Sequence, residues 1–565
     1  MNIITNSRRR ISCAAALLIA FVITNQPILK AQPAENAGEG PVIVVTLGSV
    51  NKLMQDVNYV SGMVGQPQAG GIFSMMAGTF TQGIDTTQPI AVIVPLVEGM
   101  PQPLALIPTA DVKTVLKRLE AQTGPVDELK DGTLVIAVGV NTIYIRQQGD
   151  WAIIAPDRDV LNLAPSDPAS LFGEDADQND LAIKLKMQQI PMPIRSMITS
   201  QMRLGFEQAM AQQNGGADAE ASQEMAEASL EQIEQLITDT DELELGFNVD
   251  QTAKAISFRL RFTAVEDSAL GKTLSSQKAI PSAFSSVIRP DAAMFYHSAS
   301  SVSPELAMQT KASMESVKTS FATVIETQGD LPPNLQSEIT KYFNQILDLA
   351  TASMEEGKSD LGAMLIAGEN TLQFAMGGFV SDGNEVASIA KEIAAKLDSV
   401  PDAPSFSFDR GVHKDVTLHL VEIEVPAYES EARAILGSNF KIHIGTGEQS
   451  VYLAMGKGSK KLLTEMIDAA GSDSSANRPV GQMQFKLLPM MEFTQALTAD
   501  DSIKAMIDSL SRSTDSGKMT IVTDNVPNGQ EFKISIGEGL MQAVGAAARQ
   551  AQLDAQQNAI QAGQF

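Results

Sequence analysis

Two stretches about 300 residues apart repeat the same run of elements, and this recurrence constrains the chain more than any single motif. Residues 142–163 read TIYIRQQGDWAIIAPDRDVLNL, and residues 441–466 read KIHIGTGEQSVYLAMGKGSKKLLTEM. Each places a β-branched strand (Ile143, Tyr144, Ile145; Ile442, His443, Ile444) before a Gly-bearing polar turn, a second apolar strand and a helix start at Asp159 or Ser459. Ile143 and Ile442 are 299 positions apart, Ile153 and Leu453 300, and Pro191-Met192 and Pro489-Met490 298. A register held this closely reads as an internal duplication.

Each half reads as strand, long helix, strand pair, helix, hairpin, helix, strand, helix and a closing strand pair. That is an α+β fold, a mainly antiparallel sheet with helices packed on it. In the first half, 42–47 reads as a buried strand and 49–64 as a helix with Val50, Leu53, Met54, Val57 and Val60 on one face. Residues 66–83, rich in Gly, Met and Gln, read as irregular. Strands 90–97 and 103–107 follow, joined at Glu98-Gly99-Met100, and Thr109 is placed to cap a helix over 110–122. The closing pair is 242–247 with 256–262. The second half offers strand 294–298, helix 303–324, strands 363–367 and 372–375, helix 384–397, and closing strands 519–522 and 532–536. Towards the end the offset falls to about 275. The difference falls in 212–235, an acidic stretch read as a helical surface insertion with the weak seam Met225, Leu230, Ile233, Leu236 and Ile237. The domain expectation is therefore one repeat over 40–288, a second over 289–548, and an Ala- and Gln-rich tail over 549–565 that frays.

Residues 1–31 have the pattern of a secretory signal peptide: Arg8, Arg9 and Arg10, an apolar run over 11–23, and the small residue Ala31. Residues 32–39 read as a polar linker. The apolar run is shorter than the roughly 20 residues a transmembrane helix needs, so no membrane span is expected, and the address is periplasmic or extracellular. Cys13, the single cysteine, precedes the apolar run rather than following it as a lipid-modified cysteine does, and would leave with the leader. A mature chain without a thiol has no disulfide, zinc-thiolate site, iron-sulfur cluster or cysteine nucleophile. The formal charge is −26, and losing Arg8, Arg9, Arg10 and Lys30, with no acid in that stretch, takes it to −30. Such a field repels nucleic acid and anionic lipid. Aromatic residues make up 5%, with Trp151 the one tryptophan, which argues against stacking on sugars.

Several motifs invite chemistry. Gly456, Lys457, Gly458, Ser459 and Lys460, between a strand and a helix, have the glycines, lysines and helix N-terminus of a phosphate-binding turn. Their spacing is not that of a phosphate loop, and the repeat places acidic Asp157 and Asp159 at the equivalent turn, which favours a capped turn. Asp175, Asp177 and Asn179 alternate like the start of a calcium loop, but Asp180 stands where Gly is needed and Lys186 where a bidentate Glu is needed, so an acidic loop is preferred. His297, His413, His419 and His443 all lie in the second half. His413 and His419 are spaced to share one strand face, without the further ligands a zinc site requires. Residues 187–210, with Met187, Met192, Met197, Met202 and Met210, form a Met-rich amphipathic run that suits packing on its own sheet, as Met490, Met491 and Phe493 recur at the equivalent place. No cofactor is implied.

The duplicated pattern, the leader and the pair ELELGFNVD and AISFRLRFTA resemble uncharacterised secreted proteins of planctomycete-type bacteria. The resemblance implies a compartment and no site. The expected function is a non-enzymatic secreted binding or scaffold protein with a macromolecular partner. A carrier of an apolar small molecule or lipid is the alternative, and a hydrolase with an unrecognised carboxylate or histidine site the second alternative.

Overall fold

The computed structural model describes residues 40–562 apart from 139–140, 174, 213–229, 232, 328–332, 398–402, 429, 472–477 and 499–500. Alternating apolar residues in the described stretches build a single antiparallel sheet from two arms. The first arm contributes β1 (Ile43–Leu47), β2 (Ile90–Val94), β3 (Leu104–Pro108), β4 (Leu134–Val138), β5 (Asn141–Gln148), β6 (Trp151–Ala155), β7 (Leu181–Lys186), β8 (Thr240–Asp250) and β9 (Ala255–Ala264). The second contributes β10 (Met294–Ser301), β11 (Lys358–Gly368), β12 (Thr371–Phe379), β13 (Val416–Glu424), β14 (Asn439–Thr446), β15 (Ser450–Gly456), β16 (Gly481–Lys486), β17 (Lys518–Val526) and β18 (Gly529–Gly537).

Neighbours in the first arm run β4, β5, β6, β3, β2, β1, β7, β8, β9. In the second they run β13, β14, β15, β12, β11, β10, β16, β17, β18. The two orders coincide position for position. The arms meet edge to edge, where β9 pairs with β18 from Ala255 opposite Gly537 to Thr263 opposite Gly529. Both arms therefore belong to one sheet, and the fold is α+β.

The helices are α1 (Val50–Met63), α2 (Pro67–Phe80), α3 (Val112–Thr123), α4 (Met192–Gln212), α5 (Ala269–Ser276), α6 (Pro304–Thr327), α7 (Pro333–Glu355), α8 (Gly383–Leu397), α9 (Ser430–Leu436), α10 (Ser459–Ala469), α11 (Leu487–Thr498), α12 (Asp501–Leu510) and α13 (Glu538–Ala562). Each arm has its own core. In the first, Val44, Ile93, Leu106 and Ile153 are closed over by Val160, Leu161 and Phe172. In the second, Phe295, Met364, Ala375 and Tyr452 are closed over by Phe284, Val287 and the Leu462, Leu463 and Met466 face of α10. A third cluster sits on the opposite face of the first arm, where Val112 and Leu116 of α3 pack on Ile136, Ile145 and Ala152.

Several expectations are corrected. The segment 66–83 is helical as α2, with Pro67 at its first turn. Gly70 permits this, because a Cβ there would lie 2.9 Å from the Asn58 Cα, so its absence lets α2 close on α1. Asp111, not Thr109, caps α3 by accepting from the Thr114 N–H at 3.2 Å, while the Thr109 hydroxyl donates to the Gly83 carbonyl at 2.7 Å. Asp159 opens a 3-10 turn, Asp159–Leu163, rather than an α-helix. Residues 333–355 form a second long helix that the pattern of the first half did not suggest. α13 continues to Ala562 through most of the stretch read as a fraying tail. His413 lies on a two-residue strand, Val412–His413, separated from β13 by a turn at Lys414 and Asp415, so it does not share one strand with His419. Of the insertion over 212–235, residues 213–229 and 232 lie outside the described residues; Leu230 is buried, and Ile233 and Leu236 are exposed.

Candidate functional site: an apolar sheet face across the arm junction

Residues directly opposite one another in an antiparallel pair project to the same face, so the pairing can be read as rows across the sheet. One row runs Leu181, Phe247, Phe258, Ile534, Ile521, Met483, Tyr296, Ala363 and Met376, one residue from each strand between β7 and β12. Every member is apolar or aromatic. A neighbouring row on the same face adds Ile183, Leu245, Leu260 and Phe532. The Phe247 and Phe258 rings lie 5.3 Å apart in a tilted pair, and those of Phe262 and Phe532 stack at 6.4 Å across the junction.

The reverse face at the same place is charged, with Lys184, Glu244, Arg261, Glu531 and Asp524 in one row. Arg259 donates to Glu244 at 2.7 Å and to Gln178 at 2.6 Å, with Glu531 at 3.8 Å; Lys184 stands 3.9 Å from both Glu242 and Glu244. Burial is the reverse of what a surface sheet ordinarily shows. On the apolar face Phe258 is 47% exposed, Tyr296 and Met376 40%, Leu181 38% and Ile534 37%, whereas Glu244 on the charged face is 1% exposed. The ion network fastens the charged face, and the apolar face is left half open to solvent. Exposed apolar side chains also occur on helices: Ile72, Met75, Met76 and Phe80 on α2, and Met192, Met197, Met202 and Leu204 on α4. The Met-rich run thus does not simply bury its methionines on the sheet. In the second arm Met490, Met491 and Phe493 are half-buried on α11, which lies against β11.

Two buried polar clusters were not legible in the sequence. In the second arm the Ser282 hydroxyl donates to Asp360 at 2.6 Å and shares a 2.9 Å hydrogen bond with the His297 Nε2, while the Ala283 N–H donates to the other Asp360 oxygen at 2.8 Å. The residue types are those of an acyl-transfer triad, but such a triad places the imidazole between hydroxyl and carboxylate. Here the hydroxyl is in the middle, and all three side chains are buried. Burial raises the Asp360 pKa, opposed by the Ser282 and Ala283 hydrogen bonds. In the first arm Lys52 of α1 pairs with buried Asp180 and donates to Asn248 at 2.9 Å. Asp180 also accepts from the Val249 N–H at 2.6 Å. Asp56, one turn on from Lys52, accepts from Gln251 at 2.8 Å, and its carboxyl is pushed up by burial and, to a smaller extent, by neighbouring Asp180. On α1 the buried residues are apolar Val50 and charged Asp56, while Leu53, Met54, Val57 and Val60 are half-buried. The spacing of Lys52 and Asp56 was visible in the sequence. Their partners 128 and 195 residues away were not.

The glycine-lysine turn is a capped strand-to-helix corner. Gly456 has φ +99° with the Leu372 carbonyl where a Cβ would stand, and Gly458, at φ +84°, is the N-cap of α10. Gln373 donates to the Lys457 carbonyl, and buried Ser459 bonds to the His443 Nδ1 at 2.9 Å. Strand pairing and left-handed backbone account for both glycines. Lys457 and Lys460 point from that corner into solvent. Asp175 and Asp177 lie in a four-residue helical turn, Asp175–Gln178, rather than an open loop, and their side chains lie outside the described residues. Asn179 is buried against Glu244 instead. Among the described residues no group of three or more His, Cys, Asp or Glu side chains is placed to hold a metal ion. His413 pairs with Asp468 at 2.9 Å; His419 accepts from the Asp409 N–H at 3.2 Å and bonds Thr446 at 3.0 Å, and burial lowers its pKa. A cavity of about 600 Å³ opens beside the junction, lined by Leu274, Val480 and Val526 as well as Gln277, Arg478 and Asp524, so its wall is mixed in polarity. No described helix is long and apolar enough to cross a membrane.

No family model matches the sequence, and no curated protein matches it. Two solved structures are similar over part of their length, both of TP0453. Crystal form IV matches at 6% identity over 40% of this chain and 78% of that chain, and crystal form III at 8% identity over 44% and 88%, each with a TM-score of 0.22. Likeness at that level carries no argument about function.

Proposed function

We propose that this is a non-enzymatic binding protein that presents the apolar face of its central sheet to a partner. The observation that carries the reading is the inverted burial at the arm junction, where Phe258 and Ile534 are open to solvent and Glu244 behind them is closed. Contiguous exposed apolar surface is avoided unless something covers it, because each Å² withdrawn from water is worth about 25 cal/mol. The order of Ser282, His297 and Asp360 supports a structural role for the cluster that most resembles hydrolase machinery. Export by the leader belongs to the same proposal and rests on the sequence pattern of residues 8–31; sequencing the mature N-terminus tests it.

Photolabelling the purified protein with a small apolar diazirine tests the binding surface. Label is expected on Phe258, Tyr296, Met376 and Ile534, and an unlabelled strip would overturn the reading.

A further inference from the structure

The strip spans nine strands, roughly 38 Å at about 4.8 Å per strand spacing. It is long, it is flanked on the same face by a second apolar row through Ile256, Ile536, Met519, Phe485, Met294 and Leu365, and apart from the Tyr296 phenol its side chains carry no hydrogen-bonding group. The backbone amides beneath are committed to the ladder on both sides of each strand. A protein partner ordinarily makes about one hydrogen bond per 100–200 Å² of interface, and this surface offers it almost none. Nor does the strip contain a charge, while the chain as a whole carries −26. Its electrostatic complement is an uncharged occupant, and an anionic headgroup is disfavoured. Met483 and Met376 add side chains that reshape around an occupant of variable form.

We infer that the strip across Leu181, Phe258, Ile534, Tyr296 and Met376 binds a long, uncharged apolar chain, an acyl or isoprenoid tail laid across the strands. This rests on the proposed binding role of the same face and narrows it to a ligand class. The tail lies perpendicular to the strands, crossing from one arm to the other over the β9–β18 junction, so both arms contribute to one site. A chain seated there gains contact with each added methylene until the strip is filled.

The experiment uses the full chain stripped of bound lipid on a hydrophobic resin. Displacement of diphenylhexatriene, a neutral rod-shaped probe, is measured with monoacylglycerols of increasing acyl length. A fully buried methylene is worth about 0.8 kcal/mol, which is about fourfold in affinity, so an open strip should give roughly two- to fourfold per methylene before a plateau. The Phe258→Lys/Ile534→Lys pair should weaken binding at least tenfold, and the near-isosteric Met376→Gln should weaken it less, with the melting transition retained as proof of folding. Affinity independent of chain length, or variants that bind like the parent, would overturn the inference. The diazirine label separates the two levels. A strip that labels but takes up no acyl chain removes the inference and leaves the binding role. A strip that neither labels nor binds removes both. Sedimentation as a dimer that F258K dissociates would show the strip closed by a second copy, and would equally overturn the inference.

Discussion

Phe258 of β9 lies directly opposite Ile534 of β18, so one of the nine pairs that join the two arms also lies within the exposed apolar strip. One pair of side chains thus serves both the continuity of the sheet and its open face. Several consequences can be measured.

Truncating the strip should cost little stability. Fully buried Phe→Ala changes cost about 3–5 kcal/mol, but Phe258 is half exposed already, so Phe258→Ala is expected to cost about 1–2 kcal/mol. Leu463, fully buried in the second core, should cost about 2–5 kcal/mol on the same change. Urea denaturation of the two variants checks the contrast, and equal losses would mean the strip is packed after all.

The ion network on the charged face should be costly to break and cheap to replace. Arg259→Ala leaves Glu244 buried with Lys184 no nearer than 3.9 Å, and a broken buried pair costs about 3–5 kcal/mol. Arg259→Met combined with Glu244→Leu should recover most of that loss. A double-mutant cycle on the denaturation midpoints measures the coupling.

The buried carboxyl of Asp360 should leave a pH signature. Its folded pKa is raised by burial above the ordinary 3.8, so the folded state holds this proton more tightly than the unfolded chain. The stability it contributes is complete below that ordinary value and is lost as pH rises through the raised folded value. Asp360→Asn removes the titration. The stability of the variant relative to the parent should therefore climb as pH is raised from about 4 towards neutrality, and urea midpoints across that range would show it. Asp56, also raised by burial, acts in the same sense in the first arm.

Ser282 should not behave as a nucleophile. Its hydroxyl is committed to Asp360, it is itself buried, and the imidazole is on the wrong side to relay a proton to the carboxylate. A fluorophosphonate probe is expected to leave it unmodified in the folded protein. Labelling at Ser282 would restore the hydrolase reading.

Period-two patterns and turn residues were enough to place most strands, because β-branched alternation reports directly which side chains share a face. The parallel between 142–163 and 441–466 pointed to strands that hold the same places in both arms, but its residues do not correspond one for one: Ile153 pairs with Arg146, whereas Leu453 pairs with Ile444. α2 was missed because its glycines read as breakers, whereas Gly70 is there to let two helices touch. Buried Asp56 on α1 is not marked by the apolar period of Val50, Leu53, Val57 and Val60, because its partner Gln251 lies far along the chain. The apolar strip was hidden for a different reason. Each of its strands alternates normally, and only the pairing reveals that the apolar sides line up on the open face. No local pattern records which face a sheet leaves uncovered.

The β9–β18 seam also bears on how the chain avoids sticking to itself. Nine consecutive residue pairs close it, from Ala255 to Thr263 against Gly529 to Gly537. If either arm were cut free, that whole ribbon would become an unpaired border rich in Ile, Phe and Leu, the kind of edge that recruits strands from other molecules. Each arm is the other's guard against fibre formation. A chain nicked between them at residues 265–293 would survive only as long as the two pieces stay zipped.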